Sequence, residues 1–142
     1  MLDFSLSEDH RMLRAAVGDM LKRFEPRREQ IVRMIMEENR FPEDLWEAIC
    51  ELGIPGCTIP EAYGGNGMGL LSMAIATEEM ARHGFGYVLL VLGAMDAACI
   101  CRAASEEQKK AWLPDLASGK VKFCFAVTEP NAGSNTFRIE TL

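Results

Sequence analysis

The stretch "FGYVLLVLGAMDAACIC", residues 85–101, decides the fold of this chain because it is apolar over almost its whole length. It contains a single charged residue, Asp96. A membrane-spanning helix needs about 20 apolar residues, and this stretch is shorter than that. It is therefore predicted to be a buried helix and not a membrane span. A helix without a polar face needs neighbours on every side, so the pattern predicts a helical bundle around it.

The composition is that of a globular protein, with 49% hydrophobic and 25% charged residues in a chain of 142. The net charge of −6 argues against a nucleic-acid partner, which needs clustered Lys and Arg to displace counterions. Five irregularly spaced cysteines and two histidines predict neither a disulfide framework nor a metal site. Free thiols and an N-terminus without an apolar secretory segment predict a cytoplasmic location and no membrane insertion.

Apolar residues recur at helical spacing in five further segments, so about six helices are predicted. The first helix follows Ser7, a suitable N-cap, and ends at Pro26, which can open the second. The sixth helix opens at Ser105, where "SEEQ" forms a capping box. The other predicted boundaries are Pro42 and Gly53 for the third helix, about residues 70–82 for the fourth and about 87–103 for the fifth.

Near the C-terminus the sequence pattern changes from helical to β-prone, and "KFCFAV", residues 122–127, predicts a short strand. Pro130 fixes its own φ and removes a hydrogen-bond donor, which ends the strand. Thr128 offers a hydroxyl there, and Gly133 with Ser134 permits close backbone approach to an anionic or carbonyl-rich ligand. On local chemistry alone, a binding turn and an ordinary strand-to-turn transition are equally supported.

Two other segments have both a functional and a structural interpretation. The Gly-rich loop at residues 63–69 lacks the Lys-Ser/Thr ending of a phosphate loop, so a tight connection between helices is favoured. Glu78 and Glu79 are adjacent on a predicted helix and point about 100° apart, so they cannot form an acid/base pair. Paired or solvated structural roles are predicted for both carboxylates.

Four blocks of the chain, in this order, resemble the acyl-CoA dehydrogenase family: "FPEDLWEAICELGIPGCTIPEAYGGNGMG", "ATEEMAR", "SEEQKKAWLPDLASGK" and "FAVTEPNAGSN". The resemblance implies an N-terminal helical domain, a middle β-domain and a C-terminal helical bundle. We therefore expect an all-α fold, a bundle of about six helices with a short C-terminal β-strand segment. The expected divisions are the N-terminal helical domain at 1–120 and, at 121–142, the first strand and turn of a truncated middle β-domain.

The resemblance also implies an FAD cofactor. Carried over by motif, the cofactor-binding residues are Phe125, Val127, Thr128, Gly133 and Ser134. Ser134 would also lie near an acyl-CoA substrate. Thr128 would hydrogen-bond the reactive region of the flavin through its hydroxyl and its amide. The family pattern usually continues with Asp after the Gly-Ser pair, whereas this chain has Asn135.

In family members a glutamate removes the α-proton of the acyl thioester while a hydride leaves the β-carbon for the flavin. The resemblance assigns that glutamate to later segments, so no residue of this chain receives a catalytic role. Met73, Leu92 and Met95 are candidates for the lining of an acyl pocket, and each also fits a plain core position. The assembly that the resemblance implies is a homo-oligomer.

Two kinds of function follow as alternatives. The first is the N-terminal part of an FAD-dependent acyl-CoA dehydrogenase, inactive as this isolated chain, with a related flavin-dependent acyl-CoA oxidase as its variant. The second is a non-catalytic helical binding or assembly module, whose unpaired C-terminal strand could accept a strand from a partner.

Overall fold

The computed structural model describes residues 5–86 and 88–141, with the side chain of Val88 excepted. Within these residues the chain forms six α-helices and no strand. The helices are α1 (Glu8–Lys22), α2 (Arg28–Met36), α3 (Glu43–Glu51), α4 (Gly69–Arg82), α5 (Val88–Ala103) and α6 (Glu106–Ala117). Short 3₁₀ turns lie at Glu25–Arg27, Ile54–Gly56, Glu61–Tyr63 and Thr136–Arg138. The predicted all-helical bundle is thereby confirmed.

Local capping explains where several helices begin. The Ser7 hydroxyl accepts a hydrogen bond from the His10 amide at 3.3 Å, and Glu8 and Asp9 lie in the first turn of α1. Pro42 is the N-cap of α3 and not its first helical residue, one position from the prediction. At the other end of α3, Gly53 adopts φ +67°, a conformation that glycine takes without penalty.

Ser105 closes the start of α6 with a reciprocal pair of hydrogen bonds. Its hydroxyl accepts from the Gln108 amide at 3.2 Å, and the Ser105 amide donates to Gln108 Oε1 at 2.9 Å. We expect Ser105→Ala to lower the free energy of unfolding by about 1 kcal/mol, because the Gln108 amide loses its hydroxyl partner. Urea unfolding followed by circular dichroism measures this. Ser118→Ala, at the exposed C-terminal end of α6, is the control and should change stability by less than about 0.5 kcal/mol.

Two hydrophobic clusters hold the helices together. The larger brings together buried residues of α1 to α5. In it α1 packs along α4, and Val17, Leu21, Ile49 and Met80 are buried completely. The smaller joins α5, α6 and the loop before α4, and it contains Ile59 and Leu113. The predicted stripe on α1 is thus the face that meets α4, and burial of such a stripe is the main source of helix stability in a small domain.

The prediction that α5 is enclosed on every side is wrong. Val91 and Met95 are 45% and 42% exposed, and Cys99 also faces solvent. The hydropathy of a helix shows that it lacks polar side chains, but it does not show which of its faces packs against another helix. Among residues 5–86 and 88–141, every helix is too short or too polar for a transmembrane segment.

The predicted strand at residues 122–127 is not formed in the described part of the chain. These residues have no regular secondary structure, and an isolated antiparallel bridge joins Glu129 to Ala132. A strand obtains its backbone hydrogen bonds from a second strand, and no other extended segment lies alongside this one among the described residues. The β-prone residues are present, but the pairing that would make them a strand is not.

Candidate functional site

The segment that carries the predicted site residues is anchored where it leaves α6. Trp46 on α3 donates its indole N–H to the carbonyl of Gly119 at 2.9 Å, and both residues are buried. The Lys122 ammonium lies over the rings of Phe41 and Trp46, at 4.6 and 5.6 Å from their centroids. These contacts fix residues 119–122 to the bundle, so the segment begins from a defined position.

The anchored segment then runs along the surface. Phe125 is 41% exposed, Val127 is half-buried, and Thr128 is exposed. In the described residues, neither the Val127 nor the Thr128 amide donates to another backbone carbonyl, and the Thr128 hydroxyl has no protein partner. An apolar ring, a hydroxyl and free amides are therefore available together to a ligand.

A tight turn follows at Glu129. The Glu129 amide donates to the Ala132 carbonyl at 2.9 Å, and the Ala132 amide donates back to the Glu129 carbonyl at 3.2 Å. Pro130 stands at the second position of this turn, where its fixed φ is favourable. The two hydrogen bonds direct the chain back on itself immediately after Thr128.

The Glu129 carboxylate closes the loop that this turn begins. It accepts hydrogen bonds from the amides of Glu140 and Thr141, at 2.9 and 3.0 Å, and from the Thr141 hydroxyl. These bonds lower the pKa of Glu129 from its usual value, the Thr141 hydroxyl contributing most. Residues 129–141 thus form a closed loop, which we call the Glu129 loop.

Closure of the Glu129 loop should depend on pH. Because the folded-state pKa of Glu129 is lowered, the three bonds contribute above its usual value of 4.5 and are lost as pH falls through the lowered value. We expect the Glu140 and Thr141 amide protons to be protected from exchange at pH 7 and to lose protection on acidification, as measured by NMR. Glu129→Gln should remove this pH dependence. Glu140→Gln, whose side chain makes none of these bonds, should retain it, and protection that persists in Glu129→Ala would contradict the assignment.

Gly133 and Ser134 lie within the Glu129 loop and are both exposed. A Cβ placed on Gly133 would meet no heavy atom within 4 Å, so the backbone is open to approach from outside. Asn135, where the family pattern has Asp, precedes the turn Thr136–Arg138 and makes no side-chain capping bond to it.

All five predicted cofactor-binding residues therefore lie in one surface segment outside both core clusters. The concavity inside the loop is lined by other residues, from Pro130 to Glu140.

A second candidate site is an apolar groove between α4 and α5, with a volume of about 380 Å³. Two of the three predicted pocket residues, Met73 and Met95, line it, and Leu92 does not. The Thr77 hydroxyl donates to the carbonyls of Met73 and Ala74 at 2.9 and 3.1 Å, so this polar group of the lining already has partners. Sequence reasoning missed the other lining residues, among them Leu70, Val91 and Ala98. Their spacing of three and four residues along α4 and α5 is the signal that identifies them.

Several other polar groups with possible chemistry have structural partners. Glu78 pairs with Arg14 on α1 at 2.9 Å, and Glu79 pairs with His83 at 3.3 Å, as the predicted structural roles require. His83 also contacts Glu25 at 2.7 Å. Burial raises the pKa of the Cys50 thiol to about 11, so at neutral pH it is not a thiolate. In the part of the chain that the structure describes, no three His, Cys, Asp or Glu side chains are grouped to hold a metal ion.

The Gly-rich loop has the structural role that was favoured for it. Its backbone lies against residues 56–60, with the Asn66 amide donating to Gly56 and the Gly67 amide donating to Ile59, both at 3.1 Å. The Asn66 side chain donates to the Gly53 carbonyl at 2.9 Å. A Cβ on Gly65 would lie 1.9 Å from the Ile59 carbonyl oxygen, so the glycine makes this contact possible.

Comparison with known proteins assigns this six-helix bundle to a class of enzyme N-terminal domains. The family model described as "Acyl-CoA dehydrogenase, N-terminal domain" matches residues 7–120. The chain therefore belongs to the acyl-CoA dehydrogenase family.

Individual relatives extend the match beyond residue 120. Acyl-CoA dehydrogenase FadE12 of Mycobacterium tuberculosis is 34% identical over 139 residues, which are 97% of this chain and 35% of the relative. A glutaryl-coenzyme A dehydrogenase in complex with glutaryl-CoA superposes with a TM-score of 0.78 at 36% identity, over 97% of this chain and 35% of that one. An acyl-CoA dehydrogenase complexed with FAD, from Bacillus anthracis, gives 0.77 at 29% identity, over 99% and 24%. The chain spans about a third of the length of the curated relatives it matches.

Proposed function

We propose that this chain is the N-terminal part of an FAD-dependent acyl-CoA dehydrogenase, which oxidises the α,β bond of acyl-CoA thioesters. The observation that carries the proposal is the surface run from Phe125 to Ser134, whose sequence follows the family motif. Within it, the Val127 and Thr128 amides and the Thr128 hydroxyl have no protein partners in the described structure. The domain boundary at residue 120, a homo-oligomeric assembly and a cytoplasmic location belong to the same proposal.

The residues of this run have the chemistry that a flavin requires. Phe125 and Val127 supply apolar surface for a flat ring, and Thr128 supplies a hydroxyl and an amide for the ring edge. Gly133 and Ser134 offer open backbone and a hydroxyl for the more polar part of the cofactor, with Ser134 also near the acyl-CoA. FAD, when bound, would accept the hydride from the β-carbon of the thioester. The Glu129 loop would hold Gly133 and Ser134 in position, because it is closed by hydrogen bonds before any ligand binds.

The groove between α4 and α5 is the proposed site for the acyl chain. Its volume of about 380 Å³ is within the range of small-molecule pockets, and its lining is almost entirely apolar. No residue of the chain is proposed as the base that removes the α-proton. The isolated chain is therefore expected to be colourless after purification and to have no dehydrogenase activity, because one wall of a flavin site lacks the contacts and the preorganisation that binding needs.

A chimaera tests the function directly. This chain would replace the aligned N-terminal third of the FadE12 relative, and the product should retain FAD and lose flavin absorbance when an acyl-CoA is added under anaerobic conditions. In the chimaera, Thr128→Val should slow flavin reduction by about ten- to a hundredfold, the loss expected for a hydrogen bond to a group that becomes charged. Ser118→Ala is the matched control. A folded chimaera without flavin, or one in which Thr128→Val reduces its flavin at the original rate, would count against the proposal.

A further inference from the structure

A polar concavity lies between α1 and the C-terminal part of α4, and we call it the α1–α4 cleft. Its volume is about 510 Å³, and its lining comes from residues of α1 between Arg11 and Lys22 and from Glu79 and His83 of α4. Gly18 belongs to this lining, and a Cβ placed on it would lie 3.2 Å from Glu79 Oε1. A larger side chain at this position would extend into the space beside Glu79, so the glycine keeps the cleft open.

On the α4 side, the cleft contains a buried hydrogen-bond acceptor without a partner. Glu79 is only 8% exposed, and its Oε1 contacts His83 Nε2 at 3.3 Å. Its Oε2 is buried and accepts no hydrogen bond, although Arg82 Nη1 lies 3.5 Å away. Buried carboxylate oxygens are almost always hydrogen-bonded, because removing them from water is costly. Glu79 Oε2 is therefore available to an N–H donor that enters the cleft.

On the α1 side, the cleft contains donors in the same condition. Arg14 Nη2 donates to Glu78 at 2.9 Å, but Arg14 Nε is buried and has no acceptor. Arg11 donates to the Leu6 carbonyl, and no carboxylate among residues 5–86 and 88–141 forms an ion pair with it. The α1 wall thus offers guanidinium N–H groups from two arginines, which is the donor set that binds a carboxylate.

The other charged groups of the cleft are already paired. Lys22 Nζ lies 2.7 Å from Asp19 Oδ1, so these two exposed charges neutralise each other. The second ring nitrogen of His83, Nδ1, contacts Glu25 at 2.7 Å. What remains unsatisfied is one anionic acceptor on α4 and cationic donors on α1. A single molecule that carries both an ammonium and a carboxylate group would satisfy the two walls together.

We propose that the α1–α4 cleft binds a small zwitterion of the amino-acid type. Its ammonium group donates to Glu79 Oε2, and its carboxylate accepts from Arg14 Nε and from the Arg11 guanidinium. The cleft shares no lining residue with the α4–α5 groove or with the run from Phe125 to Ser134, so the site is independent of the proposed flavin chemistry. Because the ligand contacts both helices only when they are packed together, it stabilises the folded chain by mass action.

The test uses the ω-amino acids from glycine to aminohexanoate, a series in which the two charged groups are separated by one to five methylene groups. The isotope-labelled chain is titrated with each of them and followed by NMR. We expect at least one of them to shift the Ala15 and Gly18 amide signals saturably and to raise Tm. Its affinity should be at least about tenfold higher than that of butanoate or butylammonium, each of which carries only one of the two charges.

Variants of the two walls separate this binding from a general effect of charge. Glu79→Gln keeps the shape of the side chain but loses its negative charge, and it should weaken binding of the zwitterion by about tenfold or more. Arg11→Gln, at an exposed position, should weaken it as well, and it keeps the test informative if Glu79→Gln does not fold. Glu107→Gln, at an exposed position of α6, is the matched control and should leave the affinity unchanged.

Three results would overturn the proposal. The first is that none of the five zwitterions binds, which would mean that the cleft holds water only. The second is that butanoate or butylammonium binds as tightly as the best zwitterion. The third is that binding is unchanged in both Glu79→Gln and Arg11→Gln. None of these results affects the proposed function, which is measured by flavin retention and reduction in the chimaera.

Discussion

Gly65→Ala is expected to destabilise the chain by about 3 kcal/mol or more, which is a large part of the stability of a domain of this size. The added Cβ would lie 1.9 Å from the carbonyl oxygen of Ile59 and 2.5 Å from its carbonyl carbon. These are backbone atoms, so no change of rotamer relieves the clash. Ile59 is completely buried in the smaller core cluster, and displacing it disturbs the packing of α6 against the loop.

Gly67→Ala in the same loop is the matched control. Gly67 has φ +62°, and a Cβ there would meet no heavy atom within 4 Å. Its replacement adds backbone strain of about 1 kcal/mol without a clash. Urea unfolding of both variants, followed by circular dichroism, measures the difference. If Gly65→Ala is no less stable than Gly67→Ala, the close approach of the loop to Ile59 is wrong.

Trp46→Ala is the second substitution with a large expected effect, a loss of about 3–5 kcal/mol. Trp46 is 6% exposed in the larger core cluster, and its indole N–H is bonded to the buried Gly119 carbonyl. Removing it leaves a cavity, an unpaired carbonyl and a Lys122 side chain without one of its two aromatic partners. Amide hydrogen exchange should therefore accelerate at Gly119 and Val121, whose amides donate to the carbonyls of Leu116 and Asp115, more than in α1.

Trp46→Phe keeps the test informative if the alanine variant does not fold. Phenylalanine fills most of the space but cannot donate to the Gly119 carbonyl, so we expect a loss of about 1–3 kcal/mol from the unsatisfied buried acceptor. Trp112, which is 41% exposed and lies 6.5 Å from the Phe123 ring, is the control, and Trp112→Ala should cost less than about 1.5 kcal/mol. Equal losses at the two tryptophans would refute the anchoring role of Trp46.

The helices and their ends could be predicted because their causes are local. Ser7 and Ser105 cap α1 and α6 with groups three residues away, and Gly53 ends α3 through its own backbone conformation. The motif around Thr128 and Ser134 could likewise be recognised from contiguous residues. The groove could be predicted in part, since Met73 and Met95 line it but Leu92 does not. A helix of nearly uniform hydropathy contains little information about which face is turned to which neighbour.

Sequence by itself determined that six amphipathic or apolar helices form and where a turn follows the last of them, because caps, prolines and helical periods act over a few residues. Only the tertiary structure decided that α5 leaves Val91 and Met95 uncovered beside α4, that Trp46 fastens residue 119, and that residues 122–127 remain unpaired. Such features depend on contacts between residues far apart in the chain. The local pattern of side chains does not determine which distant residues make these contacts.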